Sequence, residues 1–111
     1  MASKVNIVMD QGATFNTTYT FFDQSNSAID FTTYTAASQM RKSYTSSTAY
    51  PFTVSLANNG VITLSMSANA TSAIVAGRYL YDLEVQDANG VKSRLVEGIV
   101  TVTPEITRWQ L

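Results

Sequence analysis

Apart from tyrosine, the ionisable chemistry of this sequence rests on eight carboxylates and seven lysines and arginines, with no histidine and no cysteine among 111 residues. A nucleophilic hydroxyl needs a neighbouring base and a group that orients the base. Without histidine or cysteine, the usual serine, thiol and zinc-hydrolase constellations cannot form. The carboxylates are Asp10, Asp23, Asp30, Asp82, Glu84, Asp87, Glu97 and Glu105. Two of them several ångströms apart could serve glycoside hydrolysis, one as acid and one as base or nucleophile. Asp82 and Glu84 are the natural pair to consider. They lie two residues apart, and strand alternation puts them on the face opposite Tyr79 and Tyr81, so the expectation is a solvated pair and not a catalytic one.

The remaining motifs are weighed in the same way. Asp87-Ala88-Asn89-Gly90 has the opening of a calcium loop but lacks the later carboxylates and the bidentate glutamate, so it reads as a turn. Asn16-Thr17-Thr18 and Asn69-Ala70-Thr71 match the glycosylation acceptor pattern, which Thr- and Asn-rich strands generate by chance. Exposed tyrosine and tryptophan could stack on sugar, as in a carbohydrate-binding module, but most of the aromatics alternate with polar residues on strands, which favours core packing. Trp109 stands apart. It is the one tryptophan, and beside Arg108 and Leu111 after the final strand it reads as an anchor for a neighbouring protein, with folding back over the domain as the alternative. Arg41-Lys42, the adjacent basic pair, reads as a solvated edge that discourages strand addition, with a salt-bridged subunit contact as the sharper alternative. No catalytic, cofactor-binding or metal-binding residue is assigned. The formal charge of −1 is scattered along the chain and offers a polyanion no basic footprint, so nucleic acid is not an expected partner.

The elements that must position these residues are strands. Val5, Ile7 and Met9 alternate on a first strand, and Gln11-Gly12 turns the chain. Thr14 to Phe22 forms a second strand, with Phe15, Tyr19 and Phe21 on one face. Asp23 to Ala28 is turn chemistry. Tyr34 to Lys42 is a third strand that sets Ala36, Ser38 and Met40 against Ala37, Gln39 and Arg41. Ser43 to Ala49 reads as a loop, and Pro51 opens a fourth strand carrying Phe52, Val54 and Leu56. Asn58-Asn59-Gly60 closes a hairpin through two positive-φ residues onto Val61 to Met66. Ile74 and Val75 are read as capping the core through one helical turn. Arg78 to Gln86 and Val91 to Thr103 form a last hairpin, in which Tyr79 is placed to bond its hydroxyl to upstream backbone.

Regular spacing and hairpin turns predict one all-β domain over residues 1–111, an immunoglobulin-like antiparallel β-sandwich of about seven strands, with 104–111 a C-terminal extension. Such a length buries about two thirds of the unfolded surface. Charged residues make up only 14% of the chain against 45% hydrophobic, well under the roughly 25% charged residues usual for a soluble domain. A surface of neutral Thr, Ser, Asn and Gln suits packing against copies or neighbours. The opening residues lack the charged region and apolar run of a signal peptide, and no apolar run has the length of a membrane-spanning helix.

Several stretches resemble small immunoglobulin-like proteins encoded among the virion genes of tailed phages, especially contractile-tailed phages of marine cyanobacteria. They are Gln11-Gly12-Ala13-Thr14-Phe15, Tyr34-Thr35-Ala36-Ala37-Ser38-Gln39-Met40-Arg41-Lys42, Tyr79-Leu80-Tyr81-Asp82-Leu83-Glu84, and the run from Arg94 to Arg108. A strand followed by a short sandwich is also similar to the N-terminal domains of baseplate upper proteins, although the long stem and receptor-binding parts of those proteins have no counterpart here. The resemblance implies a virion location and a structural role in tail, baseplate, neck or capsid decoration. Gly98 reads as a bulge or a close backbone approach, and Pro104 as the end of the last strand. The expected function is non-enzymatic assembly through protein–protein contacts, with other virion proteins and copies of the chain as partners and Arg41, Lys42, Arg108, Trp109 and Leu111 as contact candidates. No cofactor is called for. The alternative is a carbohydrate-binding or adhesion module, in which case a glycan is the partner.

Overall fold

The computed structural model describes residues 3–106. Its strands are β1 (Ser3–Lys4), β2 (Ile7–Asp10), β3 (Phe15–Thr20), β4 (Thr35–Arg41), β5 (Ala49–Pro51), β6 (Thr53–Leu56), β7 (Val61–Met66), β8 (Gly77–Gln86) and β9 (Lys92–Thr103), and one short helix, α1 (Ala68–Ser72), links β7 to β8. They form an all-β sandwich. The larger sheet runs β1/β2, β9, β8, β4, β5, and the smaller runs β3, β7, β6.

Alternation drives this arrangement. Met9, Met40, Tyr79, Tyr81, Leu83, Val96, Val100 and Val102 point inward from the larger sheet and meet Phe15, Ile62, Leu64 and Met66 of the smaller one. Both inner faces are therefore withdrawn from water, at about 1.5–3 kcal/mol for each fully buried large side chain. Aromatic contacts tie the sheets together: the Phe15 and Phe52 rings lie 5.8 Å apart, and the Phe52 and Tyr81 rings 6.2 Å apart. Phe31, in the connection between β3 and β4, closes one end against Phe21 and Tyr34. Ile74, following α1, is fully buried, as expected for the capping turn. Val75 is not part of that cap: it is 72% exposed.

The first strand lies parallel to β9, with Ile7 opposite Val100 and Asp10 opposite Thr103. It is interrupted at Val5 and Asn6, where the Asn6 side-chain oxygen accepts from the Ile99 amide at 3.1 Å and Gly98 lies against Val5. A Cβ at Gly98 would collide with the Val5 carbonyl oxygen, so the missing side chain is what lets the two backbones approach.

Three local expectations are corrected. Pro51 does not open a strand. It ends β5, which folds back on β4 with Met40 opposite Tyr50, and the chain crosses to the other sheet at Phe52. Residue 49, expected in a loop, belongs to β5, which adds a strand to the seven expected. The Asn58-Asn59-Gly60 loop takes a left-handed conformation only at Gly60 (φ +80°). The Ala57 amide donates to the Val61 carbonyl at 3.1 Å, leaving a three-residue loop in place of the two-residue turn. Asp87 to Val91 repeats that geometry with Gly90 (φ +84°).

Polar side chains finish the ends. Tyr79 donates its hydroxyl to the Val75 carbonyl at 2.6 Å, the back-bond expected from its position. Gln11 donates to the Ile74 carbonyl at 2.8 Å and accepts from the Glu105 amide at 3.0 Å. Thr71, fully buried, donates to the Ala13 carbonyl and accepts from the Gly12 amide. Together they pin the turn after β2, the helix and the exit of β9.

Candidate functional site

Strand pairing brings side chains distant in sequence together on the outer face of the larger sheet. Leu80 on β8 stands opposite Ile99 on β9 and Arg41 on β4, and in the next row Asp82 stands opposite Glu97 and Gln39. These rows line a shallow groove of about 600 Å³, with Lys4 and Asn6 on one side and Ser43 and Tyr44 on the other. Leu80 and Ile99 make an apolar strip between the charged groups of this groove. Tyr44, in the loop from β4 to β5, is 85% exposed at the rim.

The polar groups of the groove hold one another in place. The pairing of β8 with β9 slips by one residue between Leu83 and Glu84, so that Leu83 faces Val96 and Glu84 faces Arg94. A bulge of this kind re-aims a side chain. Arg94 consequently lies against two carboxylates, with Nε 3.2 Å from Asp82 Oδ2 and Nη1 3.1 Å from Glu97 Oε2. Burial raises the Asp82 carboxyl above its ordinary range and Glu84 adds to the shift, while Arg94 opposes both. Arg41 is fastened as well: it donates to the Ser46 carbonyl at 2.7 Å and to Gln39 Oε1 at 3.0 Å. Lys4, Arg41 and Arg94 match Asp82, Glu84 and Glu97 in number, so the groove is close to neutral.

Asp82 and Glu84 do share the outer face, as alternation predicts, but Asp82 is only partly solvated and is held by Arg94. Among the described residues, no group of three or more acidic side chains could hold a metal ion.

The structure divides the predicted contact residues. Arg41 enters the groove. Lys42 does not: it points the other way and sets its Nζ 4.8 Å from the centre of the Tyr79 ring, a cation–π contact at the end of the sandwich. The edge assigned to this basic pair is corrected, because β4 lies between β8 and β5, and Arg41 has strand neighbours on both sides at Leu80 and Ala49. Arg108, Trp109 and Leu111 lie outside the described residues. Sequence reasoning missed Tyr44, which sits in an aperiodic loop, and Arg94, whose aim depends on the bulge. Leu80 and Ile99 could have been found, since each is apolar at an outward position of an alternating strand.

No family model matches the sequence, and no curated protein matches it. Among solved structures, an internalin-like protein of Listeria monocytogenes aligns over 92% of this chain at 13% identity with a TM-score of 0.48. A family 123 glycoside hydrolase from Clostridium perfringens aligns over 93% at 12% identity with a TM-score of 0.43. The chain spans 28% and 23% of those proteins. Likenesses this distant carry no argument about function.

Proposed function

We propose that this chain is a non-enzymatic assembly module of a tailed-phage particle and docks on neighbouring virion proteins through the outer face of its larger sheet. The observation that carries the reading is Arg41, fastened at both ends of its guanidinium in a groove that it lines together with the exposed Tyr44 and the apolar Leu80 and Ile99. Arginine and tyrosine are the residue types that dominate protein interfaces, and an immobilised arginine loses little entropy when a partner docks. The parallel placement of the first strand on the last, the small facing sheet and the Tyr79 back-bond support the immunoglobulin-like form of the sandwich. The virion setting rests on the sequence resemblance alone.

Mass spectrometry of purified particles, scaled against the major capsid protein, tests the reading. A fixed copy number that drops when Tyr44→Ala is introduced supports it, and absence from well-purified particles overturns it.

A second reading has its own observation. A nearly neutral groove with carboxylates, amides and an exposed tyrosine ring at its rim also suits a neutral glycan, hydroxyls bonding to the polar groups and a sugar face stacking on Tyr44. A glycan array decides between the two.

A further inference from the structure

Among the described residues four strand edges are unpaired, and three of them carry the devices that stop strands from adding to one another. The β1/β2 run is broken at Val5 and Asn6 and bears Lys4 and Asp10. β5 has three residues and ends in proline, and β6 has only four. Short length, charge, irregularity and proline are the usual protections of an exposed edge.

β3 has none of them. Its sequence, Phe15-Asn16-Thr17-Thr18-Tyr19-Thr20, contains no charge and no proline, and its pairing with β7 runs without a slip from Phe15 opposite Met66 to Thr20 opposite Val61. The Phe21 amide donates to the Gly60 carbonyl on the β7 side. Antiparallel strands alternate the direction of their backbone groups, so Tyr19 and Thr17 also face β7. Asn16, Thr18 and Thr20 therefore aim their amides and carbonyls outward, and all three residues are exposed. The smaller sheet as a whole bears no charged side chain on its strands.

We propose that β3 pairs antiparallel with β3 of a second copy about a two-fold axis at Thr18, joining the two smaller sheets into one sheet of six strands. The strand is complementary to itself in this register. Thr18 faces its own counterpart, Asn16 faces Thr20, and the pairing forms about six backbone hydrogen bonds from the three outward residues of each copy. Threonine pairs across strands are favourable and no like charges meet. A charged peptide would find no counter-charge on these strands, which is why a second copy is the occupant assigned. The association uses neither Tyr44 nor Arg41, so it stands or falls separately from docking through the larger sheet.

Sedimentation of the purified full chain, with amide hydrogen exchange followed residue by residue, tests the proposal. The expected result is a concentration-dependent dimer whose formation slows exchange at Asn16, Thr18 and Thr20. Thr18→Pro removes an outward amide without touching the β7 ladder, and Thr18→Lys sets two cations opposite each other. Each is expected to abolish the dimer while the circular dichroism spectrum of the monomer is kept. A chain that stays monomeric at the highest concentration it tolerates overturns the proposal. So does a dimer in which exchange of these three amides is unchanged.

Discussion

Three tyrosines show how much depends on where a single hydroxyl ends. Tyr81 donates to the Val5 carbonyl at 2.7 Å, so the Tyr19 hydroxyl, 2.8 Å away, must be the donor to Tyr81. The order of that chain ranks three substitutions. Tyr19→Phe removes only the outer donor and is the mildest. Tyr79→Phe frees a carbonyl at the exposed Val75 and is expected to cost about 1 kcal/mol. Tyr81→Phe strands both the Tyr19 hydroxyl and the Val5 carbonyl and is expected to cost about 1–3 kcal/mol, read from denaturant unfolding at neutral pH. Tyr81 is also held well above the ordinary tyrosine range, chiefly by burial and then by its bond with Tyr19, and burial raises Tyr19 as well. The native state thus keeps protons that the unfolded chain releases near pH 10. Stability is whole below that value and falls as pH rises above it, by at most about 1.4 kcal/mol per pH unit for each such group. Unfolding measured at about pH 8 and about pH 11 is expected to show the loss, and Tyr81→Phe to lessen it. An equal loss in that variant would remove Tyr81 as its source.

At the level of elements, the two glycine loops share a geometry but not an environment. A Cβ at Gly60 would stand 2.5 Å from the Phe21 carbonyl oxygen and 3.2 Å from the Ile29 amide, whereas one at Gly90 would meet nothing nearer than the Gln86 side-chain amide at 3.7 Å. Alanine at Gly90 is expected to cost only the left-handed strain, about 1–2 kcal/mol. Alanine at Gly60 adds a backbone clash and is expected to cost clearly more, seen as the larger fall in melting temperature. Both loops could be read in the sequence because Gly follows Asn between alternating runs. The crossing at Phe52 could not, for a physical reason: Phe52, Val54 and Leu56 point into the same core from either sheet, so the alternation continues while the backbone changes layer. The direction of the first strand was equally invisible, since period-2 patterning is the same for parallel and antiparallel pairing. The groove shared that fate in part. Arg41 could be nominated from its type, but Tyr44 and Arg94 join it only through a loop path and a bulge that leave no period behind.

Across the whole molecule, charge is divided between the layers. Among the described residues, every charged residue on a strand, from Lys4 and Asp10 to Lys92, Arg94 and Glu97, belongs to the larger sheet, while β3, β6 and β7 carry none. Low overall charge was plain in the composition. Its segregation was not, because that depends on which strands share a sheet. The division lets the two proposed surfaces be told apart with salt. Raising ionic strength from about 0.1 M to about 1 M shortens the screening length from about 10 Å to about 3 Å. Contacts made through Arg41 and Arg94 are expected to weaken several-fold over that range, measured as release of the chain from purified particles. Pairing through β3 depends on backbone hydrogen bonds between neutral residues, so the sedimentation dimer constant is expected to stay nearly constant. A dimer that dissolves with salt would place the self-contact on the charged sheet, and the smooth, unguarded edge of β3 would then need another partner.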